Sequence, residues 1–316
     1  MSITVVAVGY GGPENLKAVE ENVAEPGPGQ VLLEVRAAGV NPVDAKLYGG
    51  GAWGSDPSRL PMRLGSEAAG VVLATGPDAV GPAGPVRVGD EVIAYPAPGA
   101  YAQRVLVRAT SLVPKPADLP WAEAAGLLVA GATAVHALAV VKPVAGETLL
   151  VHGASGGVGL AVVQLATARG VRVVGTASPG NHDLLRELGV EPVEYGAGLA
   201  DRVRALAPEG VAAAIDTVGT DEAVDVSVEL VAGVDRIVTI ASFQYGGERG
   251  IARIGGGPGA DPGTAVRDAA RLELVRAVED GVLRVVVAET YPLAEAAQAH
   301  RAIMGHHRPG KIVLVP

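Results

Sequence analysis

The segment Thr148-Leu-Leu-Val-His-Gly-Ala-Ser-Gly-Gly-Val-Gly159 constrains this chain more than any other part of it. A short apolar strand runs into a glycine-rich turn, a helical run leaves the turn, and a second β-branched strand follows at Val171-Arg-Val-Val174. Two strands joined through a helix lie parallel. The helix N-terminus then faces the turn with unpaired N–H groups and the positive end of its dipole, an arrangement suited to phosphate. In Gly153-x-x-Gly156-x-x-Gly159 one glycine makes the tight turn, one lets the backbone reach a pyrophosphate, and one lets helix and strand pack closely. Gly157 adds a fourth. With 44 glycines in the chain the spacing alone is weak, so the strand–turn–helix–strand context carries the reading. That context predicts a dinucleotide or nucleotide site involving Gly153, Ser155, Gly156, Gly157, Val158 and Gly159. The plain alternative is a tight turn without ligand.

A rival reading uses the same letters. Gly153-Ala-Ser155-Gly-Gly157 also fits the nucleophile elbow of a serine hydrolase, and Asp216 and His300 follow in the order serine, acid, histidine. Against it, the chain before Ser155 is rich in short strands, where a hydrolase would already alternate strands and helices.

A carboxylate at the end of the second strand selects NAD by binding the ribose 2′-hydroxyl. Here the strand runs out through Gly175-Thr-Ala-Ser178-Pro-Gly-Asn181-His182, and the next acid, Asp183, falls inside the following helix. Ser178, Asn181 and His182 are therefore candidate contacts of an NADPH 2′-phosphate, and Thr176 is a candidate cofactor-binding residue. Ser178 and Asn181 could equally cap that helix.

Residues 1 to about 115 carry strand patterns at Val31, Ala69, Glu91 and Tyr101, punctuated by proline and glycine, with no long helical period. Residues 121–139 form a long alanine-rich helical stretch interrupted by Gly131. Strands at 148–153, 171–176, 211–215 and 236–241 then alternate with helices at 157–169, 181–188 and 221–231, which predicts a parallel sheet covered on both faces. A glycine-rich loop at 246–263, a helix at 265–280, a strand at 282–288, a helix at 293–304 and a last strand at 311–315 close the chain. The fold class is α/β: a β-rich domain of residues 1–118 and 265–316, and a doubly wound Rossmann domain of residues 119–264.

Hydrophobic residues make up 49% of the chain, enough for a large core, and a net charge of −9 gives no general attraction to nucleic acid or anionic membrane. The absence of cysteine excludes disulfides, thiolate metal sites and cysteine nucleophiles. The first residues lack a basic leader and cleavage site, and no apolar run reaches bilayer length, so a cytoplasmic protein is expected.

Several motifs together resemble the medium-chain dehydrogenase/reductase superfamily, and within it the zinc-free quinone oxidoreductase branch that includes zeta-crystallin. They include Arg36-Ala-Ala-Gly-Val-Asn41-Pro-Val-Asp44, Leu64-Gly-Ser-Glu67, Val88-Gly-Asp90, Asp216-Thr-Val-Gly219 and Gly310-Lys-Ile-Val-Leu. The resemblance covers nearly the whole chain. It implies that the β-rich part is a GroES-like catalytic domain completed by the C-terminal tail. In zinc-dependent relatives a cysteine stands at the position of Asn41 and a histidine at that of Ser66, so no metal is expected; His300, His306 and His307 read as a solvated helix end. The usual Ala-x-x-Gly-x-x-Gly begins here with glycine, and the lysine common after the second strand is replaced at Asn181 or His182, which leaves the strength of NADPH selection open.

The implied chemistry is hydride transfer from NADPH to a quinone or α,β-unsaturated carbonyl. The resemblance assigns Asn41 to the nicotinamide ribose or substrate carbonyl, although an Asn before Pro42 also starts a turn. It places Thr133, Val218, Ile240, Ala241 and Lys311 with the cofactor and Tyr195 near the adenosine phosphate. Tyr48 and Trp53 are expected in a glycine-rich loop, where Tyr48 could donate a proton or orient an oxyanion, and Trp53 and Phe243 are candidate pocket walls. Asp44 and Glu67 read as holding the domain together. An enoyl-thioester or biosynthetic tailoring reductase, and an NADPH-binding protein with little turnover, are the other readings. The partner is a small molecule, and the resemblance implies a homodimer.

Overall fold

The computed structural model describes residues 1–51, 54–305 and 307–316. The chain divides into two compact units. The first comprises Met1–Val129, Arg271–Glu279 and Val285–Pro316, the second Ala130–Ala270 and Asp280–Arg284. This division falls at 129/130 and 270/271. The helix Trp121–Ala125, assigned by sequence to the second domain, packs on the strands Gln30–Val40 and Ala68–Thr75 of the first unit.

In the first unit the long strand Gln30–Val40 is central. It pairs antiparallel with Ala68–Thr75, Arg104–Arg108 and Lys311–Val315, and the last of these pairs in parallel with Val287–Pro292. Val31, Leu33 and Val35 alternate inward, as the two-residue period of a strand requires. They join a core with Tyr48, Tyr101, Ile312 and Leu314. The tail is thus held to this unit by sheet pairing. A smaller sheet has Ser2–Ala7 between Leu16–Glu21 and Met62–Arg63.

The second unit is a six-stranded parallel sheet. Its order is Glu191–Val193, Arg172–Thr176, Thr148–His152, Ala213–Asp216, Ile237–Thr239 and Ala252–Arg253. Every residue of Thr148–His152 is buried, so the strand reads as an unbroken apolar run rather than an alternation. The chain reverses its direction of travel across the sheet beside this strand, and ligands of such sheets bind outside the carboxyl ends at that switch point.

Several local expectations are corrected. The helical stretch near residue 130 breaks at Gly126, not Gly131, giving Trp121–Ala125 and Leu128–Val141. The first unit contains a helix, Pro42–Gly49, whose short length and low amphipathicity hid it. The strand Glu191–Val193 and helix Leu199–Leu206 lie in a stretch broken by proline and glycine. The glycine-rich loop carries the helix Phe243–Glu248 and the sixth strand. The strand expected at 282–288 lies at Val287–Pro292. Among the described residues no helix is long and apolar enough to cross a membrane.

Candidate functional site

Gly153 adopts φ +72°, a conformation open to glycine, and a Cβ there would lie 2.6 Å from both Thr217 Oγ1 and Val218 Cγ2. Its N–H donates to Thr176 Oγ1 at 3.1 Å, tying the turn to the second strand. At Gly159 a Cβ would meet the Gly153 carbonyl oxygen at 2.2 Å, so this glycine is needed for the helix to pass close to the strand. Gly156 is different. It is the N-cap of the helix Gly157–Thr167, with φ −76°, and a Cβ there would touch only the Gly153 oxygen, at 3.4 Å. The backbone does not need glycine at 156, and an approaching ligand would.

The end of the second strand faces this turn. Asn181 Nδ2 donates to Ser155 Oγ at 3.1 Å, and neither Ser178 nor Asn181 makes a side-chain capping bond. Capping therefore does not account for these two side chains. His182 Nε2 donates to the Ala177 carbonyl at 3.1 Å. The nearest acid along the chain, Asp183, is exposed and paired with Arg186 at 2.7 Å. Tyr195 is half exposed on a loop that Arg202 fixes by donating to the carbonyls of Glu194, Gly196 and Ala197. Arg202 was not singled out from sequence; an isolated arginine in an amphipathic helix gives no sign that it folds back on a loop.

The carboxyl ends of the next two strands are knotted together. Asp216 Oδ1 accepts the N–H groups of Val218 and Gly219 at 2.8 and 2.9 Å, and Oδ2 accepts Thr239 Oγ1 at 2.7 Å. Thr239 Oγ1 in turn accepts from Ala241 and Ser242 N–H. Gly219, at φ +86°, would place a Cβ 2.8 Å from that of Ala241. Val218, Ile240 and Ala241 thus form one rim with the glycine turn. Phe243 follows, with its ring against Gly257, where a Cβ would lie 2.4 Å away. Thr133 is a buried member of the helix Leu128–Val141.

In the first unit Asn41 is the N-cap of Pro42–Gly49 and is nearly buried. Lys311 Nζ donates to Asn41 Oδ1 and, at 2.9 Å, to Glu67 Oε1; Asn41 Nδ2 donates to the same Glu67 oxygen at 3.1 Å. Glu67 Oε2 accepts Val129 N–H at 2.8 Å. The ammonium and carboxylate fix which way the amide points. Lys311 therefore meets Asn41 directly, and Glu67 is a buried partner of both.

A second buried network corrects two expectations. Tyr48 lies on the helix, not on a glycine-rich loop, and is only 1% exposed. His300 is fully buried, not at a solvated helix end, because it occupies the inward face of Ala296–Met304 with Ala296 and Ala299. Tyr48 OH and His300 Nδ1 lie 2.8 Å apart, His300 Nε2 and Tyr101 OH 3.1 Å, and Tyr101 OH donates to Asp44 Oδ2 at 3.1 Å. Since Tyr101 gives its proton to the carboxylate, its oxygen accepts from His300 Nε2–H, and Nδ1 of the neutral ring accepts from Tyr48. Burial pushes His300 down to about 4 and Tyr48 up to about 12. Trp53 and His306 lie outside the described residues.

The hydrolase reading fails on this geometry. Ser155 Oγ accepts from Asn181, both Asp216 oxygens serve the strand ends, and both His300 nitrogens are taken by tyrosines. A dyad or triad needs these groups bonded to one another.

A doubly wound sheet with a glycine turn at its switch point, in one chain with a β-rich unit completed by the tail, defines a two-domain dinucleotide-dependent dehydrogenase or reductase. Residues 27–117 match the alcohol dehydrogenase GroES-like domain, and residues 188–314 match a zinc-binding dehydrogenase family model. The quinone oxidoreductase of Mus musculus is 32% identical over 97% of this chain and 95% of its own. The pikromycin polyketide synthase component PikAII of Streptomyces venezuelae is 35% identical over 91% of this chain and 8% of its own. A mycobacterial protein solved in complex with NADPH superposes with a TM-score of 0.83 at 30% identity, covering the whole of both chains. The chain belongs to the quinone oxidoreductase-type medium-chain dehydrogenase/reductase family.

Proposed function

We propose that this chain is an NADPH-dependent reductase of quinones or α,β-unsaturated carbonyls that works without a metal. The observation that carries the cofactor assignment is the contrast within the glycine turn. Gly153 and Gly159 are required by the backbone, whereas the space at Gly156 serves a close approach from outside. The helix N-terminus beyond it favours an anion. The strand end supports NADPH over NADH because it presents Ser178, Asn181 and His182 and no carboxylate. The mycobacterial relative solved with NADPH supports the same reading.

When bound, NADPH supplies the hydride. An electron-poor acceptor mainly requires that the reacting groups be held in register. Lys311 and Glu67 hold the Asn41 amide in one orientation, with both N–H groups directed inward, to Glu67 and to the Gly39 carbonyl. A second lone pair on Oδ1 is left to accept, which favours a ribose hydroxyl over a substrate carbonyl as its partner. Zinc is bound by thiolate, imidazole or carboxylate. Asn41 and Ser66 offer an amide and a hydroxyl, and Asn41 already faces a cation.

Purified protein mixed with NADPH or NADH and a panel of ortho-quinones, para-quinones, enones and enoyl thioesters tests this, with nicotinamide absorbance as the readout. Turnover is expected with NADPH preferred, insensitive to chelator. NADPH binding without turnover of any acceptor would overturn it in favour of a binding protein. The similarity to a polyketide synthase segment favours the enoyl-thioester arm as the second reading, in which the thioesters outrun the quinones.

A further inference from the structure

Reduction of such an acceptor consumes a hydride and a proton, and the buried position of Tyr48 removes it as the donor. Among the described residues of the network that contains Tyr48, one meets solvent. Tyr48, His300, Tyr101 and Asp44 are buried, and Ser66, whose Oγ donates to Asp44 Oδ1 at 3.1 Å, is partly exposed. We infer that Ser66 and Asp44 form the acid–base couple of the reduction, with Ser66 as the group that gives the proton to the reduced acceptor and Asp44 as its buried source. This rests on the reductase reading above.

The hydrogen bonds around Asp44 are asymmetric. Oδ2 already receives Asn41 N–H at 2.9 Å and Tyr101 O–H at 3.1 Å, and Tyr101 is locked in that direction by His300 and Tyr48. Among the described residues Oδ1 receives only Ser66. A proton added to Asp44 therefore settles on Oδ1 and points at Ser66 Oγ, which becomes an acceptor and turns its own proton outward. The step balances: the Ser66 O–H bond breaks as an O–H or C–H bond forms on the anionic reduced acceptor, and the Asp44 proton moves to Ser66 Oγ. The carboxylate left behind is reprotonated from water through Ser66. Asp44 faces Ser66 before one strand, the hydroxyl of Tyr101, and the charge of Lys311 on the last strand, with Tyr48 near by. Burial outweighs these neighbours and raises its carboxyl to about 6, so both forms are populated near neutrality. Tyr101, His300 and Tyr48 are positioning residues.

Two readouts test the couple. In steady-state turnover with NADPH, Ser66→Ala and Asp44→Asn should lower kcat by about 10²–10⁴-fold. NADPH affinity and melting temperature should be kept. The wild-type rate should fall tenfold per pH unit above the Asp44 titration, and the variants should be flat. Without any acceptor, difference infrared spectroscopy of the intact protein should show a buried carboxylic-acid band appearing below about pH 6. The band should be absent in Asp44→Asn and should titrate at higher pH in Ser66→Ala, which has lost a donor to the carboxylate. An active wild type whose Ser66→Ala variant keeps the rate and pH profile overturns the inference alone. Wild type that binds NADPH and turns over nothing overturns the reductase reading instead. Should Asp44→Asn not fold, Ser66→Ala and the infrared titration decide.

Discussion

Alanine at Gly159 and alanine at Gly156 should fail in opposite ways. A Cβ at Gly159 would stand 2.2 Å from the Gly153 oxygen and 2.8 Å from the Ala154 Cα, both backbone atoms. Ordinary contact lies about 1 Å further out, so helix and strand must separate. Overpacking of that kind costs about 1–3 kcal/mol. At roughly 2–4 °C per kcal/mol for a domain of this size, the melting temperature should drop by roughly 2–12 °C. At Gly156 the same methyl meets one oxygen at 3.4 Å, an ordinary contact. The weaker N-cap and the stiffer unfolded chain offset one another within roughly 1 kcal/mol, so stability should hardly change. NADPH affinity should nevertheless fall at least about tenfold, or about 1.4 kcal/mol, because the methyl occupies the path of the pyrophosphate. Differential scanning fluorimetry with and without NADPH, together with fluorescence titration of NADPH, separates the two effects. If Gly159→Ala melts like wild type, or Gly156→Ala binds NADPH like wild type, the division of roles within the turn is wrong.

Acid should destabilise the fold through two histidines. Burial depresses His152 and His300 to about 4, so between about pH 4 and 6.5 the unfolded chain binds more protons and stability rises with pH, by about 3 kcal/mol for each. Asp44, raised to about 6, works in the other direction by about 3 kcal/mol from its ordinary range up to that value. The net gain across the window is about 3 kcal/mol by urea unfolding, and His300→Gln should lower it by about 3 kcal/mol; an unchanged slope in that variant would contradict the burial argument. Glu67→Gln should cost about 3–5 kcal/mol because it leaves the Lys311 ammonium buried without its carboxylate. Adding Lys311→Met should recover part of that loss, and simple additivity in a double-variant cycle would refute the pairing.

The second unit was largely readable because its determinants are local. The turn, its strand and its helix fall within about twenty consecutive residues, and Gly153 and Gly159 answer to backbone demands there. Apart from the short amphipathic helix Leu199–Leu206, the pieces missed were ones that break periodicity. The strand Glu191–Val193 has proline at its centre, and the helix Phe243–Glu248 contains two glycines. Those residues are poor formers of either element, and packing on the sheet overrides propensity.

The first unit's polar interior was far less readable, for a reason that bears on its chemistry. Asp44 is the N3 acid of the helix Pro42–Gly49, which the sequence did not reveal, and there it accepts the Asn41 N–H. Nothing local says that its second oxygen faces a solvent-touching serine, or that Tyr101 is held by a histidine 199 residues away and that histidine by a tyrosine 252 residues away. Sequence periodicity reports which face is buried and is silent about what a buried polar group meets there. Three buried side chains, Tyr48, His300 and Tyr101, spend their hydrogen bonds in one direction toward a single carboxylate. A carboxylate needed only to cap a helix would be stabilised as well by an exposed position, without the desolvation that raises its proton affinity. The arrangement fits a group proposed to hold a proton and release it, and among the described residues of this network Ser66 is the member at solvent that meets its free oxygen.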